Sequence, residues 1–415
     1  MVEPIRTSDG ELLSVKLRRV ESKRRITAFL LVAPLLIFII FAYILPIFQM
    51  LARSIDNVEL SSFLSETHEA MKDWDGSKLP NESVTSTFYY ELKVAVENKT
   101  HGKIATRLNY EKGGFTSLIK KTARKLKNFD EDQNLLDQFI KTHKKWGDID
   151  YWLALKRGTD AYHVRKYLTA FDFYQAFDGS IERIPEKKRI NVTLWVRTIY
   201  VALGVTLSCF ILAYPIAHCL SVLPTRYSNL LMICVLLPFW TSLLVRTSSW
   251  MVLLQREGVI NDTLVSLGLV ADDSRLELMY NMTGTFVAMT QILLPFMVLP
   301  LYSVMKTIPP SLMRAATSMG ATPQYAFRKI YFPLTYPGIS AGSILVFVLA
   351  IGYYITPALV GGAKGVLISN RIAYHMQQSL DWSLATAMAT VLLVAVLIVY
   401  WLYNRIVGID NMRLG

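Results

Sequence analysis

Residues 313–333 read MRAATSMGATPQYAFRKIYFP, a polar and basic segment that separates two long apolar runs. Small residues make one surface of this segment: Ala315, Ala316, Ser318 and Ala321. Gly320 has no Cβ, so the chain can turn there or another chain can approach closely. Thr322 and Pro323 predict the start of a helical turn, because Thr caps a helix and Pro is tolerated at its first position. A short helix with a small-residue face between two membrane helices predicts a segment that fits a groove in another protein.

This segment resembles the EAA loop of ABC-importer permeases, which has the pattern E-A-A-x-x-x-G followed by I-x-L-P. The matching residues stand at the same spacing: Ala315, Ala316, Gly320, Ile330 and Pro333. Two positions depart from the pattern, since Arg314 replaces the acidic residue and Phe332 replaces leucine. The resemblance implies that residues 306–333 form a cytoplasmic coupling loop, in which Arg314 and the five matching residues contact the ATPase subunits of the importer.

The composition predicts a membrane protein with one polar part. Hydrophobic residues make up 52% of the 415 residues, and charged residues make up 18%. That is too apolar for an ordinary soluble protein and too charged for a chain that lies entirely in a membrane. The net charge of +12 comes with no recognised nucleic-acid-binding motif, and many basic residues stand beside the apolar runs. We therefore expect membrane lipid, and no nucleic acid, among the partners.

Six apolar runs are each long enough to cross the hydrocarbon core of a bilayer, which needs about 20 helical residues. They are residues 26–50, 192–222, 230–254, 282–305, 334–360 and 384–406. The first run is longer than the core of a signal peptide, and no small-residue cleavage site follows it. The predicted fold is an all-α membrane protein with six transmembrane helices, the first of them assigned to residues 26–53.

Basic residues predict the orientation of these spans. Residues 1–25 carry a Lys/Arg cluster just before the first run, which predicts a cytoplasmic N-terminal tail. Counting six spans from that tail also places Arg226, Arg328 and the tail 409–415 in the cytoplasm. Residues 54–190 then lie on the other side of the membrane.

Residues 54–190 predict a large, mainly helical extracytoplasmic insertion between the first and second spans. Phe115, Leu118 and Ile119 recur at helical spacing among lysines, and Leu135 and Phe139 indicate a second amphipathic helix. Two interpretations have equal weight. The insertion is either a docking platform for an external partner or a tolerated segment that covers the bundle.

Residues 191–408 resemble the spermidine/putrescine branch of these permeases and are predicted to form a five-span core. Four segments carry the resemblance: LVRTSSW at 244–250, GVIN at 258–261, LPFMVLPLY at 294–302 and VGGAK at 360–364. The resemblance implies a type I ABC importer with a second permease subunit, two cytoplasmic ATP-binding subunits and an extracytoplasmic solute-binding protein. It further implies a multi-pass protein of the bacterial inner membrane that moves a polyamine or opine-like solute. A permease for another class of small solute is the alternative.

No cofactor site is expected in this chain. The sequence lacks G-x-x-x-x-G-K-[ST], so ATP and Mg²⁺ are expected on a partner ATPase, and no metal-binding motif appears. We therefore predict that the chain is not an enzyme by itself. The alternative from another class is an ATP-independent carrier. Against it, the six apolar runs contain no Asp or Glu, through which proton-coupled carriers commonly relay protons.

Arg246 is the charged residue that lies well inside a predicted span, which makes it a candidate for the substrate path. The aromatic residues Trp240, Trp250 and Tyr353 are further candidates, because an aromatic face attracts a cation. The other interpretation, which we prefer, is an arginine that snorkels outward or is bonded to carbonyls inside the bundle.

GISAG at 338–342 matches the G-x-S-x-G of hydrolases, with Ser340 as the nucleophile, but it lacks the preceding strand that this motif needs. The same residues match G-x-x-x-G, which lets two membrane helices approach closely. We prefer the interpretation as a helix-packing surface.

Overall fold

The computed structural model describes residues 13–160, 162 and 164–407, which are mostly helical. Four helices in this part are long and apolar enough to cross a membrane: Val20–Arg53, Asn191–Val222, Met282–Thr307 and Trp382–Arg405. Two further pairs of helices meet the same criterion together, but each pair is sharply bent. The described chain therefore has four spans by this measure, or up to six if each bent pair counts as one.

The first span is one continuous helical segment with a local widening. It comprises α1 (Leu13–Ile39), a π-helical turn (Ile40–Ile44) and α2 (Leu45–Arg53). Pro46 lacks the backbone N–H that would continue the α-helical ladder, and the π turn precedes it. No residue in the most apolar part of this span is buried against the rest of the described chain.

The described residues of the insertion form eight α-helices, several 3₁₀ turns and one small hairpin. The helices are α3 (Val58–Phe63), α4 (Ser65–Lys72), α5 (Glu82–Glu97), α6 (His101–Glu111), α7 (Phe115–Lys125), α8 (Leu135–Thr142), α9 (Ile149–Thr159) and α10 (Arg165–Ala170). Strands β1 (Phe173–Gln175) and β2 (Ile181–Arg183) pair antiparallel.

An aromatic core of its own holds the insertion together. Trp146 and Trp152 are fully buried with ring centroids 4.8 Å apart, and Phe88 and Phe139 pack around them. Both indole N–H groups are satisfied: Trp146 donates to Thr122 Oγ1 at 3.0 Å, and Trp152 donates to the Trp146 carbonyl at 2.8 Å. The buried faces of α7 and α8 are the ones that the periodicity predicts.

The remaining chain forms the membrane bundle and its connections. Its helices are α11 (Asn191–Val222), α12 (Thr225–Leu236), α13 (Leu243–Leu254), α14 (Val259–Ser266), α15 (Met282–Thr307), α16 (Pro310–Ser318), α17 (Pro323–Ala326), α18 (Phe332–Leu334), α19 (Tyr336–Gly352), α20 (Ile355–Val360), α21 (Gly362–Gly365), α22 (Ile368–Gln377) and α23 (Trp382–Val407). Helices α11, α15 and α19 pack closely and share one hydrophobic core.

Glycine permits the closest of these contacts. A Cβ on Gly342 would lie 2.6 Å from Met297 Sδ, and a Cβ on Gly338 would lie 3.0 Å from the Pro300 carbonyl oxygen. The predicted packing role of this G-x-x-x-G is confirmed. Ser340 lies inside α19 and donates to the Pro337 carbonyl at 2.9 Å, so it lacks the strand-to-helix turn of a hydrolase nucleophile.

Two of the apolar runs bend where the sequence predicts continuous helices. The segments Thr225–Trp240 and Leu243–Ser266 meet at 98°. The bend follows a 3₁₀ turn that contains Pro238, and Thr241 and Ser242 are extended, with ψ of 146° and 141°. The other bend, of 57°, lies at the start of the run 334–360, between the segments Pro323–Leu334 and Tyr336–Gly352. That run is also divided farther along, since α19 ends at Gly352 and α20 begins at Ile355. Apolar composition alone carries no signal for such breaks.

Candidate coupling site and substrate path

The coupling loop, residues 306–333, is a helix–turn–helix whose sharp turn is made by Gly320. The Gly320 N–H donates to the Thr317 carbonyl at 3.0 Å, and the Ala321 N–H donates to the Ala316 carbonyl at 3.1 Å. Together with a φ of +92° at Gly320, these two bonds form a Schellman motif, which satisfies the last carbonyls of α16. The turn requires a left-handed residue, and glycine adopts that conformation without steric cost.

The helix after the turn begins as predicted. Thr322 Oγ1 accepts a hydrogen bond from the Tyr325 N–H at 3.3 Å, and Pro323 occupies the first turn of α17. The N-cap inferred from the sequence is confirmed.

The six predicted coupling residues divide into two groups. Ala316 is buried, and Ile330 and Pro333 are half-buried, so these three are less accessible to another chain. Arg314, Ala315 and Gly320 are exposed, and a Cβ on Gly320 would meet no atom within 4 Å. The neighbouring Met319 is 81% exposed. No part of the described chain approaches Gly320 closely, so a role in close approach requires another chain. The left-handed backbone at Gly320 is a property of this chain alone.

The charge on the exposed side of the loop is positive. Arg314, Arg328 and Lys329 are all exposed. Within the part of the chain that the structure describes, none of the three forms a salt bridge. At the position where the EAA pattern carries an acid, this chain presents an unpaired cation.

Aromatic contacts attach the loop to α11, which the sequence analysis did not predict. Tyr331 hydrogen-bonds to His218 Nδ1 at 3.1 Å and lies 3.4 Å from Ser221 Oγ. Phe327 stacks on Tyr331 with centroids 5.5 Å apart. The available signal was the spacing of Phe327 and Tyr331, one helical turn apart, opposite a histidine near the end of an apolar run. His218 therefore has a structural role, because it links α11 to the coupling loop.

Arg246 lies just after the 98° bend between Thr225–Trp240 and Leu243–Ser266, and its guanidinium bonds to the backbone that the bend leaves free. Its Nη2 donates to the carbonyls of Pro238 and Thr241, the latter at 3.2 Å. Its Nε is buried without a hydrogen-bond partner within the described residues. This is the carbonyl-bonded arrangement of the second interpretation, and it stabilises the break in the helix.

Two of the four substrate-path candidates flank this bend: Trp240 ends the 3₁₀ turn before it, and Arg246 lies in the first turn of α13 after it. A hydrogen bond of 3.2 Å between Thr247 and Thr356 joins α13 to α20, which begins two residues after Tyr353. Trp250 donates from its indole N–H to Gln291 Oε1 at 3.1 Å, which joins α13 to α15. Trp240 is 78% exposed.

The comparisons with known proteins agree with this architecture. Residues 198–408 match the family described as binding-protein-dependent transport system inner membrane component. The chain belongs to this family. It is therefore an inner-membrane permease subunit of an ABC importer, and no residue before 198 takes part in the match.

Two relatives of this permease are named as spermidine/putrescine transport system permease protein PotB. The protein from Salmonella typhimurium strain LT2 is 35% identical over 216 residues, which are 51% of this chain and 75% of the relative. The protein from Escherichia coli K12 is 35% identical over the same length and 78% covered. Among solved structures, a bacterial alginate ABC transporter with a bound periplasmic protein is 18% identical with a TM-score of 0.45, over 55% of this chain and 82% of that one.

Proposed function

We propose that this permease imports a polyamine, or a closely related small nitrogenous solute, at the expense of ATP hydrolysed by partner subunits. The observation that carries the proposal is the coupling loop, whose exposed small face around Ala315 and Gly320 is fixed by the Schellman turn within the family's matched residues. Such a face fits a groove of a cytoplasmic ATPase, where ATP and Mg²⁺ bind.

In this mechanism the ATPase moves the coupling loop, and the loop moves the bundle. Two ATP-binding subunits grip the loops of this chain and of a second permease subunit, and they close when ATP binds. The contact between Tyr331 and His218 passes that displacement to α11. Nucleotide shifts the transporter between inward-open and outward-open states because it binds the two states with different affinity.

The proposed orientation places both termini and the coupling loop in the cytoplasm and residues 54–190 outside it, where an extracytoplasmic solute-binding protein delivers substrate. A cysteine at position 125 tests this, because Lys125 is exposed on α7. In a background without Cys209, Cys219 and Cys234, Lys125→Cys should react with a membrane-impermeant thiol reagent in intact spheroplasts. Labelling that requires lysis of the cells would contradict the orientation.

The substrate class rests on the two PotB relatives and on the aromatic candidates for the substrate path. Trp250 and Tyr353 can hold an ammonium group by cation–π contact. The Arg246 guanidinium is bonded to two backbone carbonyls, which disperses part of its positive charge. A second candidate is a nitrogenous solute that also carries a carboxylate, such as an opine. The buried, unpartnered Nε of Arg246 favours it.

Reconstitution tests the proposal directly. Liposomes are prepared with the permease pair and its ATPase, and the transporter's solute-binding protein is added. The uptake of labelled spermidine, putrescine and an opine is then compared. We expect vanadate-sensitive uptake of a polyamine. Uptake that continues without the ATPase would show an ATP-independent carrier, and uptake of the opine alone would replace the polyamine by the second candidate.

A further inference from the structure

The insertion presents a concentrated positive surface on α7. Residues 113–128 contain no Asp or Glu, and all five of their basic residues are exposed: Lys120, Lys121, Arg124, Lys125 and Lys127. Their apolar neighbours Phe115, Leu118 and Ile119 are fully buried, so the helical period points the cations away from the core.

A second basic segment lies beside α7. The Trp146 indole donates to Thr122 Oγ1 at 3.0 Å, and this bond ties the turn that follows α8 to the middle of α7. Lys141 and Lys144 in this segment are exposed. We call these seven residues, Lys120, Lys121, Arg124, Lys125, Lys127, Lys141 and Lys144, the basic face.

The basic face is not neutralised within the described part of the chain. The salt bridges of the insertion use other residues, such as Lys93 with Glu131 and Lys112 with Asp150. The positive charge of this region also acts on His143. Its pKa is lowered first by burial and then by Lys121, Lys145 and Lys144. Like charges one turn apart, such as Lys121 and Lys125, disfavour the helix, whereas Arg124 and Lys125 in its last turn interact favourably with the helix dipole.

The hydrogen bonds that join the insertion to the bundle involve elements other than α7 and α8. The insertion joins the bundle through other elements: Tyr110 of α6 bonds to the Ser379 carbonyl, Lys166 of α10 bonds to Asp381, and Asp172 bonds to the start of α11. Helices α7 and α8 pack instead on α5 and α6, inside the insertion.

We propose that the basic face is the docking surface for an acidic surface of the transporter's solute-binding protein. The inference rests on the proposed function, because it assumes that the insertion and this protein share the extracytoplasmic side. Charge complementarity of this kind accelerates association, and added salt weakens it. Of the two interpretations of residues 54–190, the docking platform is thereby favoured, with its contact surface assigned.

A pair of matched charge reversals tests the inference on the complete transporter in phosphatidylcholine nanodiscs. Lys121→Glu/Lys125→Glu alters the basic face, and Lys187→Glu/Lys188→Glu makes the same charge change at two exposed lysines near the start of α11. The ligand is the purified solute-binding protein encoded beside the gene. We expect the first variant to raise Kd about tenfold or more at low salt, mainly through slower association, and the second to leave it within about twofold.

Neutral variants and salt separate docking from misfolding. Lys121→Gln/Lys125→Gln should weaken binding by less than the reversal does, and 0.3 M salt should narrow the difference from wild type. Basal ATP hydrolysis should be equal in all variants. Equal affinity of the basic-face variant and wild type for the solute-binding protein would overturn the inference. So would a difference in affinity that appears only when the nanodiscs contain phosphatidylglycerol. Failure of the wild-type transporter to take up any solute would instead count against the proposed function.

Discussion

The Lys166 ammonium lies 3.2 Å from the Asp381 carboxylate, and the two residues are 215 positions apart in the chain. Their side chains are only 10% and 7% exposed. The pair joins α10 of the insertion to the first turn of α23, where Asp381 also accepts from the Leu384 N–H at 3.2 Å. A buried pair of this kind fixes how two parts of a protein sit against each other, even where it adds little net stability.

Removal of one partner should loosen this junction strongly. Asp381→Asn leaves the Lys166 charge buried without a counter-ion, and breaking such pairs costs about 3–5 kcal/mol. We expect faster hydrogen exchange in α10 and in the first turn of α23, with little change in the aromatic core around Trp146. The double variant Lys166→Met/Asp381→Asn should recover part of the loss. Equal exchange in all three proteins would contradict a structural role for the pair.

Acid should weaken the same region through His375. Burial, and then Arg371, lower the pKa of His375 from 6.5 to about 4, and Lys166 acts in the same direction while Asp381 opposes them. Because the folded pKa lies below the unfolded one, the unfolded state binds more protons between pH 6.5 and pH 4. The contribution of His375 to the free energy of unfolding is therefore fully present above the unfolded pKa of 6.5. It is lost as the pH falls from there towards the folded pKa of about 4. The loss should be about 2 kcal/mol between pH 7 and pH 5.

The matched variant is His375→Asn, which can keep a hydrogen bond to Ser379 Oγ, now at 2.8 Å from Nδ1. Thermal unfolding of the detergent-solubilised protein, followed across this pH range, measures the effect. The variant should show a flatter pH dependence than wild type. An identical slope in both proteins would show that other groups control the acid response.

Gly320 allows backbone strain to be separated from contact with a partner. Gly320→Ala should weaken the Schellman turn by about 1–2 kcal/mol, because an alanine resists the left-handed region. Gly320→Asn tolerates that region better, and Gly320→Asp adds a charge that is costly to desolvate at an interface. All three should insert into the membrane at near-normal amounts.

Substrate-stimulated ATP hydrolysis is the measurement for these variants. If contact with the ATPase excludes bulk, Asn and Asp should both lose stimulation, and Asp should lose more. If only the turn matters, Asn should retain more activity than Ala. Binding of substrate by the solute-binding protein should not change. Wild-type stimulation and uptake in Gly320→Asp would mean that the loop is not the coupling element.

Arg246 should be needed for transport more than for assembly. Arg246→Ala removes both carbonyl contacts at the 98° bend and should lower uptake, with the amount of membrane protein largely kept. Arg246→Lys should rescue only in part, because lysine lacks the planar fork that reaches two acceptors. Ser248→Ala on the exposed side of the same helix is the control. Equal loss of protein from the membrane in both arginine variants would assign Arg246 a purely structural role.

Local patterns in the sequence predicted local structure well. The buried face of α7, the cap by Thr322 and the packing of Gly338 and Gly342 each depend on residues within one or two helical turns. The helix break at Thr241 was not predicted, because the hydrophobicity of a run does not indicate whether the helix axis changes direction within it. The bond between His218 and Tyr331 joins residues 113 positions apart, and no periodicity within either segment contains it.

Helix α11 is a single helix of 32 residues, about 48 Å long at 1.5 Å per residue. One end donates hydrogen bonds to the insertion, where the Asp172 carboxylate accepts from the Val192 N–H at 2.8 Å. Near the other end, His218 bonds to Tyr331 of the coupling loop. The helix is thus attached to the insertion at one end and to the coupling loop near the other. Pro215 lies inside this helix, close to the coupling loop. Because proline lacks a backbone N–H donor, we expect α11 to bend most readily there.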